Sequence, residues 1–267
     1  MATPWHLLTV STGLLTLLCF QTTSDGADET QPSSVKLLIV INGESNSGGY
    51  ALNSEAPPAE LGVRKSVKIL NNTTLATFDD LGIGVNNLVG HERLPNGVTH
   101  GFELELANRA DVNPLYAKPV YLVKTGQGGS VISQWDPKGN YYTTFLNRIN
   151  AAKKLLNGEK YRTVILFSLG INDMGAGTDV HVWKAAVKAH FQNMRNELGP
   201  DTPIIMTRFM PQYARYDGAI EELCKELPNT YSVNTSDAPL RDPYHWNYVG
   251  MKQVAGRMLD VMESLNP

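Results

Sequence analysis

Cysteine is scarce in this chain, which has two cysteines among its 267 residues. One of them, Cys19, lies in an N-terminal segment that we expect to be removed, so Cys224 would remain alone in the mature protein. The mature chain can then form no intramolecular disulfide. The six histidines show no paired spacing of the kind that metal ligands have, and we expect neither a metal ion nor another cofactor.

Long runs of basic residues are also missing. The 23 basic and 26 acidic side chains are spread along the chain and give a formal charge of -3, so no positive stripe can follow a phosphate backbone. We therefore expect no nucleic-acid partner. The sequence has no Gly-x-x-x-x-Gly-Lys-Ser/Thr loop, and Gly82-Ile83-Gly84 lacks the later glycine of a dinucleotide-binding motif. Nucleotide binding is not predicted.

The N-terminal apolar stretch is too short to span a bilayer. It covers residues 7–20, whereas a spanning helix needs roughly 20 residues, and it passes abruptly into a polar run over 21–34. This pattern is typical of a secretory signal peptide. We predict a signal peptide over 1–27, a polar linker over 28–35 and one domain over 36–267. The predicted location is secreted or periplasmic, without stable membrane insertion.

Short apolar segments alternate with helical patterns through the rest of the chain. The unbroken run Leu37–Ile41 indicates a strand buried on both faces. Residues 51–99 are expected to form loops with one short strand at 67–70. Further strands are predicted at 119–124, 163–169 and 203–207, and helices at 101–110, 141–156, 180–198, 217–225 and 246–265. This alternation predicts an α/β fold, a three-layer α/β/α sandwich with a mainly parallel sheet.

Polar and small residues follow three of the predicted strands, at the sheet edge where open α/β folds bind ligands. Gly43-Glu44-Ser45-Asn46 follows the first strand. Gly126–Ser130 follows the strand at 119–124, and Gly170–Asp173 follows the strand at 163–169. A fourth group, Asp242-Pro243-Tyr244-His245, precedes the last helix. These four groups are the candidate functional loops.

The residue types in these loops fit nucleophilic catalysis. A serine hydroxyl needs a base that accepts its proton, and we predict Ser45 as the nucleophile, His245 as the base and Asp242 as the group that orients the imidazole. The oxyanion would be held by the backbone N–H groups of Ser45 and Gly129 and by the Asn172 amide. Gly128 stays open as an alternative to Gly129.

Each loop alone also has a structural explanation. Ser45 or Asn46 can cap a helix, Asp242 can cap the last helix, and paired glycines often form a tight turn. Because four separate loops carry the residue types of one catalytic site in a fixed chain order, we favour the catalytic explanation over four unrelated structural ones. An ordinary α/β-hydrolase is disfavoured, because Ser47 stands where the Gly-x-Ser-x-Gly elbow needs its second glycine.

The four loops resemble the motif blocks of the SGNH hydrolases, specifically the sialate O-acetylesterase and acetylxylan-esterase-like branch. The similarity extends over about residues 37–250. Its departures are Glu44 in place of the usual Gln and Ser130 in place of Thr. The matching residues are Gly43-Glu44-Ser45-Asn46, then Gly128-Gly129-Ser130 with Trp135, then Gly170-x-Asn172-Asp173, and finally Asp242 with His245.

The resemblance implies an SGNH/flavodoxin-like domain that hydrolyses O-acetyl esters, with acetylated carbohydrate as substrate and an acyl-enzyme on Ser45. The residues themselves indicate only an acyl ester. Two alternatives stay open: a short-chain, lipase-like esterase of the same fold, and a carbohydrate-binding protein without turnover. Tyr50, Trp135 and Trp246 flank the motif loops, and we expect them in the core rather than in a substrate pocket.

Overall fold

The structure is a computed structural model that describes residues 35–86 and 97–265. The predicted signal peptide over 1–27 lies outside the described residues, as does the predicted linker except for its last residue, Val35. The proposals made for these segments therefore stay predictions. None of the helices in the described ranges is both long and apolar enough to cross a membrane.

The described residues contain nine strands, seven of which form one sheet. The other two, β2 and β5, pair with each other in a short antiparallel ribbon. The strands are β1 (Lys36–Gly43), β2 (Ala51–Leu52), β3 (Arg64–Leu70), β4 (Phe78–Leu81), β5 (Thr99–His100), β6 (Val120–Lys124), β7 (Tyr161–Ser168), β8 (Ile204–Thr207) and β9 (Thr230–Val233).

The helices alternate with the sheet strands and cover the sheet. They are α1 (Ser45–Gly48), α2 (Glu103–Val112), α3 (Asn140–Leu155), α4 (Ile171–Gly175), α5 (Val180–Leu198), α6 (Asp217–Glu226) and α7 (Tyr248–Ser264). The long helix α5 begins where the Asp179 side chain accepts hydrogen bonds from the N–H groups of His181 and Val182. The helix α7 begins at Tyr248 and is capped by Asn247, whose side chain accepts a hydrogen bond from Gly250 N.

The strand order β4-β3-β6-β1-β7-β8-β9 places β1 at the centre of the sheet. All neighbouring pairs are parallel except β3 and β4, which are antiparallel. Because β6 and β7 flank β1, the loops that leave these three strands meet at one edge of the sheet. Ligands bind at this position in open parallel sheets, where the chain winds first to one side and then to the other.

The central strands are apolar on both faces because helices cover the sheet on both sides. Leu38, Ile39, Val40 and Ile41 are all fully buried in β1, and they pair with β6 on one side and β7 on the other. Their burial contributes on the order of 2 kcal/mol for each side chain. The predicted three-layer α/β/α fold with a mainly parallel sheet is confirmed.

Several predicted boundaries need correction. The strand predicted at 67–70 is the end of the longer β3, and its antiparallel neighbour β4 was not predicted. The edge strand β9 was also not predicted, because its sequence Thr-Tyr-Ser-Val lacks an apolar run. The last helix begins at Tyr248 rather than at residue 246, because Asn247 provides the cap.

Candidate active site

The end of β1 packs so closely against the end of β7 that only glycine fits at position 43. Gly43 has a φ of 133°, and a Cβ atom at this position would lie 2.0 Å from the carbonyl oxygen of Ser168. Glu44 N donates to that same oxygen at 2.8 Å. The chain then turns at once into the short helix α1, whose first residue is Ser45. The candidate nucleophile therefore lies at the carboxyl end of the central strand.

The structure brings the three predicted catalytic side chains together. His245 Nε2 lies 2.9 Å from Ser45 Oγ, although 200 positions separate the two residues in the sequence. His245 Nδ1 lies 2.9 Å from both carboxylate oxygens of Asp242. Because a carboxylate only accepts hydrogen bonds, Nδ1 carries the ring proton and Nε2 is left as the acceptor for the serine hydroxyl. This is the tautomer that a base for Ser45 needs.

The loop before α7 is fixed to the nucleophile loop by hydrogen bonds. Asn46 Nδ2 donates to the carbonyl oxygen of Tyr244 at 3.0 Å, and Trp246 N donates to Asn46 Oδ1 at 3.4 Å. Asp242 Oδ1 accepts the N–H groups of Tyr244 and His245, both at 2.9 Å. Asn46 is fully buried, so its position next to Ser45 links the two halves of the site directly.

The protonation states of the pair fit the same arrangement. Burial lowers the pKa of His245 below its usual value, although the Asp242 carboxylate opposes the shift. Burial acts to raise the pKa of Asp242, but the Tyr244 N–H and the His245 imidazole outweigh it, and the pKa lies below its usual value. Near neutral pH the imidazole is therefore uncharged and the carboxylate is ionised.

Of the three aromatic residues near the motif loops, Tyr50 has its ring packed on a candidate catalytic side chain. Its ring packs on the His245 ring with the centroids 4.0 Å apart. The Arg241 guanidinium lies over the Tyr50 ring, 4.8 Å from its centroid. Tyr50 is half-buried. Trp135 and Trp246 are buried in the core, as expected. The expectation that Tyr50 belongs to the core needs correction, because its contact with His245 puts it at the site.

The predicted oxyanion donors lie on three loops at the same sheet edge. Ser45 N is in the first turn of α1, where helix N–H groups have no partner within the helix. Gly129 has a φ of 72° and lies in a turn that Gln127 N anchors to the carbonyl oxygen of Gly43 at 2.8 Å. Asn172 is in α4 and is partly exposed. The choice between Gly128 and Gly129 stays open.

A fully buried carboxylate lies beside the candidate nucleophile. Glu44 Oε1 accepts the N–H groups of Gly170 at 3.0 Å and Ile171 at 2.8 Å. Glu44 Oε2 accepts the N–H of Asn172 at 3.2 Å and also the side-chain amide of Asn172. Burial raises the pKa of Glu44 to about 7, against the lowering effect of the three backbone N–H groups, and Asp173 adds to the rise. The sequence did not predict these contacts.

A second buried carboxylate joins two of the motif loops. Asp173 accepts the N–H of Ile132 with both carboxylate oxygens, at 3.1 and 3.0 Å. Burial raises its pKa to about 6. Ile132 follows the Gly128-Gly129-Ser130 loop, so Asp173 fixes this loop to the start of α4. The motif Gly170-x-Asn172-Asp173 pointed to Asp173, although no role was assigned to it from the sequence.

An ion pair lies in the interior close to the motif loops. Lys124 Nζ is 3.0 Å from Glu103 Oε1, and both side chains are fully buried. Glu103 Oε2 also accepts the N–H of Gly101, which packs against Gly49 next to α1. Burial acts to raise the pKa of Glu103, but the Lys124 ammonium outweighs it and the pKa lies below its usual value. The pair thus connects β6 and α2 close to the nucleophile loop.

The residues of the described ranges include no cluster of three or more His, Cys, Asp or Glu side chains with the arrangement of a metal site. The side chains and backbone of the candidate site supply one hydroxyl with a neutral imidazole, an anion that orients the imidazole, and several N–H donors. These groups are suited to the transfer of an acyl group.

Comparison with known proteins places the chain among esterases. A family model described as carbohydrate esterase, sialic acid-specific acetylesterase, matches residues 35–264. The search of curated proteins found no match.

Two solved structures are similar to the chain. One is the X-ray structure of a protein from Arabidopsis thaliana, with a TM-score of 0.65 and 18% sequence identity, covering 86% of this chain and 98% of that one. Another is a carbohydrate esterase family 3 structure from Talaromyces cellulolyticus, with a TM-score of 0.39 and 16% identity over 56% of this chain and 73% of that one. The first similarity agrees with the fold described above.

Proposed function

Because the chain belongs to the carbohydrate esterase family of sialic acid-specific acetylesterases, we propose that it hydrolyses O-acetyl esters on carbohydrate through an acyl-enzyme on Ser45. Membership of this family makes the protein a carboxylic ester hydrolase. The observation that supports the serine mechanism is the contact of Ser45 Oγ with His245 Nε2 at 2.9 Å, with Asp242 behind the imidazole.

The first half of the reaction forms the acyl-enzyme. Ser45 Oγ attacks the carbonyl carbon of the acetyl ester while His245 Nε2 takes the hydroxyl proton. The carbonyl oxygen becomes an oxyanion, which would accept hydrogen bonds from Ser45 N, Gly129 N and the Asn172 amide. The tetrahedral intermediate then breaks its bond to the sugar oxygen. His245 returns the proton to that oxygen, and the deacetylated sugar leaves.

The second half uses the same groups with water. His245 Nε2 takes a proton from a water molecule, whose oxygen attacks the acetyl carbon on Ser45. The new intermediate breaks its bond to Ser45 Oγ, which regains its proton from His245, and acetate leaves. Asp242 keeps the imidazole in the productive tautomer through both halves and stabilises it while it is charged.

Acetate release from a panel of acetylated oligosaccharides is the direct test of this function. We expect release from at least one acetylated sugar, and Ser45→Ala and His245→Ala should each lower kcat by several orders of magnitude with little change in KM. Ser133→Ala is a matched control outside the proposed triad, and its activity should stay within about twofold of the parent.

The panel also separates the alternatives. Comparable acetate release by Ser45→Ala and the parent would contradict the serine mechanism. Faster cleavage of simple esters with longer acyl chains than of acetylated sugars would favour the lipase-like esterase. Sugar binding without release of acetate would favour the carbohydrate-binding protein.

We further propose that the protein is exported, because residues 1–27 have the composition of a signal peptide. Expression of the full chain in a secreting host, followed by N-terminal sequencing of the protein from the medium or periplasm, tests this proposal. We expect a new N-terminus near residue 27. Recovery of the uncut chain from the cytoplasm alone would contradict export.

A further inference from the structure

We propose that the stacked rings of Tyr213 and Tyr244 form a subsite for a second sugar ring, next to the sugar that carries the acetyl group. The substrates would then be acetylated oligosaccharides or polysaccharides rather than single acetylated sugars. This inference rests on the proposed function, since it names the class of carbohydrate on which the esterase acts. The two tyrosines bind the substrate and take no part in the acyl transfer.

Tyr244 is a solvent-exposed aromatic residue directly beside the proposed catalytic residues. It is 48% exposed, and no other Phe, Trp or Tyr within residues 35–86 and 97–265 is exposed. Its ring centroid lies 6.2 Å from that of His245. Removing an aromatic ring from water is favourable, so a ligand that covers Tyr244 gains binding energy. The position of the ring next to His245 indicates that this ligand is part of the substrate.

Tyr213 enlarges this aromatic surface from a different part of the chain. It belongs to a short 3₁₀ turn over Pro211–Tyr216, between β8 and α6, and it is half-buried. Its ring stacks with that of Tyr244, with the centroids 5.9 Å apart and the planes at 30°. His245 thus contacts Tyr244, which in turn contacts Tyr213. A sugar whose acetyl group lies at the catalytic residues can therefore place its neighbouring sugar over the tyrosine pair.

Hydrogen bonds hold the backbone on both sides of Tyr244. Its N–H donates to Asp242 Oδ1 at 2.9 Å, and its carbonyl oxygen accepts from Asn46 Nδ2 at 3.0 Å. The carbonyl oxygen of Pro243 accepts from Gln212 Nε2 at 2.9 Å, which joins the two segments that carry the rings. Because the backbone is fixed before a ligand arrives, binding to the rings costs little ordering of the protein.

The surroundings of the two rings fit a sugar better than an acyl chain or a protein partner. A sugar ring has C–H groups on its faces and hydroxyls around its rim, so it can pack on an aromatic ring while its hydroxyls meet polar groups. Exposed polar residues lie close to the pair in the sequence, namely Gln212, Arg215 and Arg241. The apolar surface is thus confined to the rings, whereas a protein or lipid partner needs a wider apolar patch.

Acetate release from two matched pairs of substrates tests the proposal. One pair is O-acetylated sialic acid and O-acetylated sialyllactose, and the other is acetylated xylose and acetylated xylotriose. In the pair that the protein hydrolyses, we expect kcat/KM to be at least about tenfold higher for the longer sugar, through a lower KM. Equal kcat/KM values for the two members of that pair would overturn the proposal.

Variants of the two tyrosines assign the preference to their rings. Tyr244→Ala should abolish the preference for the longer sugar by raising its KM about tenfold, and Tyr213→Ala should weaken the preference about threefold. Tyr244→Phe keeps the ring and should keep the preference. A preference that survives Tyr244→Ala would overturn the proposal. An equal loss of kcat on p-nitrophenyl acetate would also overturn it, because the ring would then support His245 rather than the sugar.

The control is Tyr161→Ala, which removes a half-buried tyrosine ring at the opposite edge of the sheet, where β7 begins. This variant should keep the preference of the parent for the longer sugar. Loss of the preference in Tyr161→Ala as well would overturn the assignment to Tyr213 and Tyr244. Failure of the proposed function would show separately, as full activity in Ser45→Ala or as release of acetate from p-nitrophenyl acetate but from no acetylated sugar.

Discussion

The tautomer of His245 can be tested by Asp242→Asn, which replaces one carboxylate oxygen by an NH2 group. Asp242 Oδ1 accepts two backbone N–H groups at 2.9 Å, and the asparagine oxygen can keep both. The NH2 group would then occupy the position of Oδ2, 2.9 Å from His245 Nδ1. The retained oxygen also lies 2.9 Å from Nδ1, but it already accepts two backbone N–H groups. We therefore expect Nδ1 to accept from the NH2 group and the ring proton to move to Nε2.

The expected loss is large because a protonated Nε2 cannot take the proton of Ser45. In the serine protease triad, the corresponding aspartate to asparagine change lowers kcat by about 10⁴, and we expect a loss of the same order here. At 1.36 kcal/mol for each tenfold change, this corresponds to about 5 kcal/mol of transition-state stabilisation. The melting temperature should change little, because the loop contacts are kept.

The assay is kcat on an acetyl ester, with Asp237→Asn as the control. Asp237 is an exposed aspartate that pairs with Arg257 away from the site, and its variant should keep parent activity. A loss below about tenfold for Asp242→Asn, in a protein that remains folded, would refute the reasoning from the tautomer.

Three further predictions follow from the structure. As the pH is lowered, kcat/KM should fall in two steps. The first is a limited decrease near pH 7, where Glu44 takes up a proton, because burial raises the pKa of Glu44 to about 7. The second is a complete loss at lower pH, where His245 becomes charged, because burial lowers the pKa of His245. A pH–rate profile checks this, and the step near pH 7 should disappear in Glu44→Gln. Tyr244 is an exposed aromatic residue whose ring centroid lies 6.2 Å from that of His245. Tyr244→Ala should therefore raise KM for an acetylated oligosaccharide about tenfold but leave KM for a small acetyl ester unchanged. Equal effects on both substrates would argue against a contact between Tyr244 and the sugar. Glu103→Gln leaves the buried Lys124 without its counter-charge and should destabilise the fold by about 3–5 kcal/mol, which urea unfolding measures; a change below about 1 kcal/mol would contradict a structural role for the pair.

The general architecture was predictable from the sequence because local patterns determine it. The apolar run Leu37–Ile41 has the composition of a strand covered on both faces, and it is the buried central strand β1. The helix predicted over 180–198 has the bounds observed for α5. The strands β4 and β9 escaped prediction since they form sheet edges, where the side chains are partly exposed and polar residues are tolerated.

The candidate site was predictable in its residue types but not in its contacts. Asp242 and His245 are three positions apart, so their proximity followed from the sequence. The packing of Tyr50 on His245 joins residues almost 200 positions apart, and the contacts of Glu44 join a residue after β1 to a loop after β7. Such contacts depend on the strand order of the sheet, which the hydrophobic pattern does not encode.

The assignment of Ser45 as nucleophile is the claim on which the account depends, and labelling with a serine-reactive phosphonate tests it most directly. Peptide mapping should locate the label on Ser45, and the extent of labelling should follow the loss of esterase activity, with no labelling in His245→Ala. Full inactivation with the label on another residue, or an unlabelled Ser45 in a protein that still releases acetate, would contradict the account.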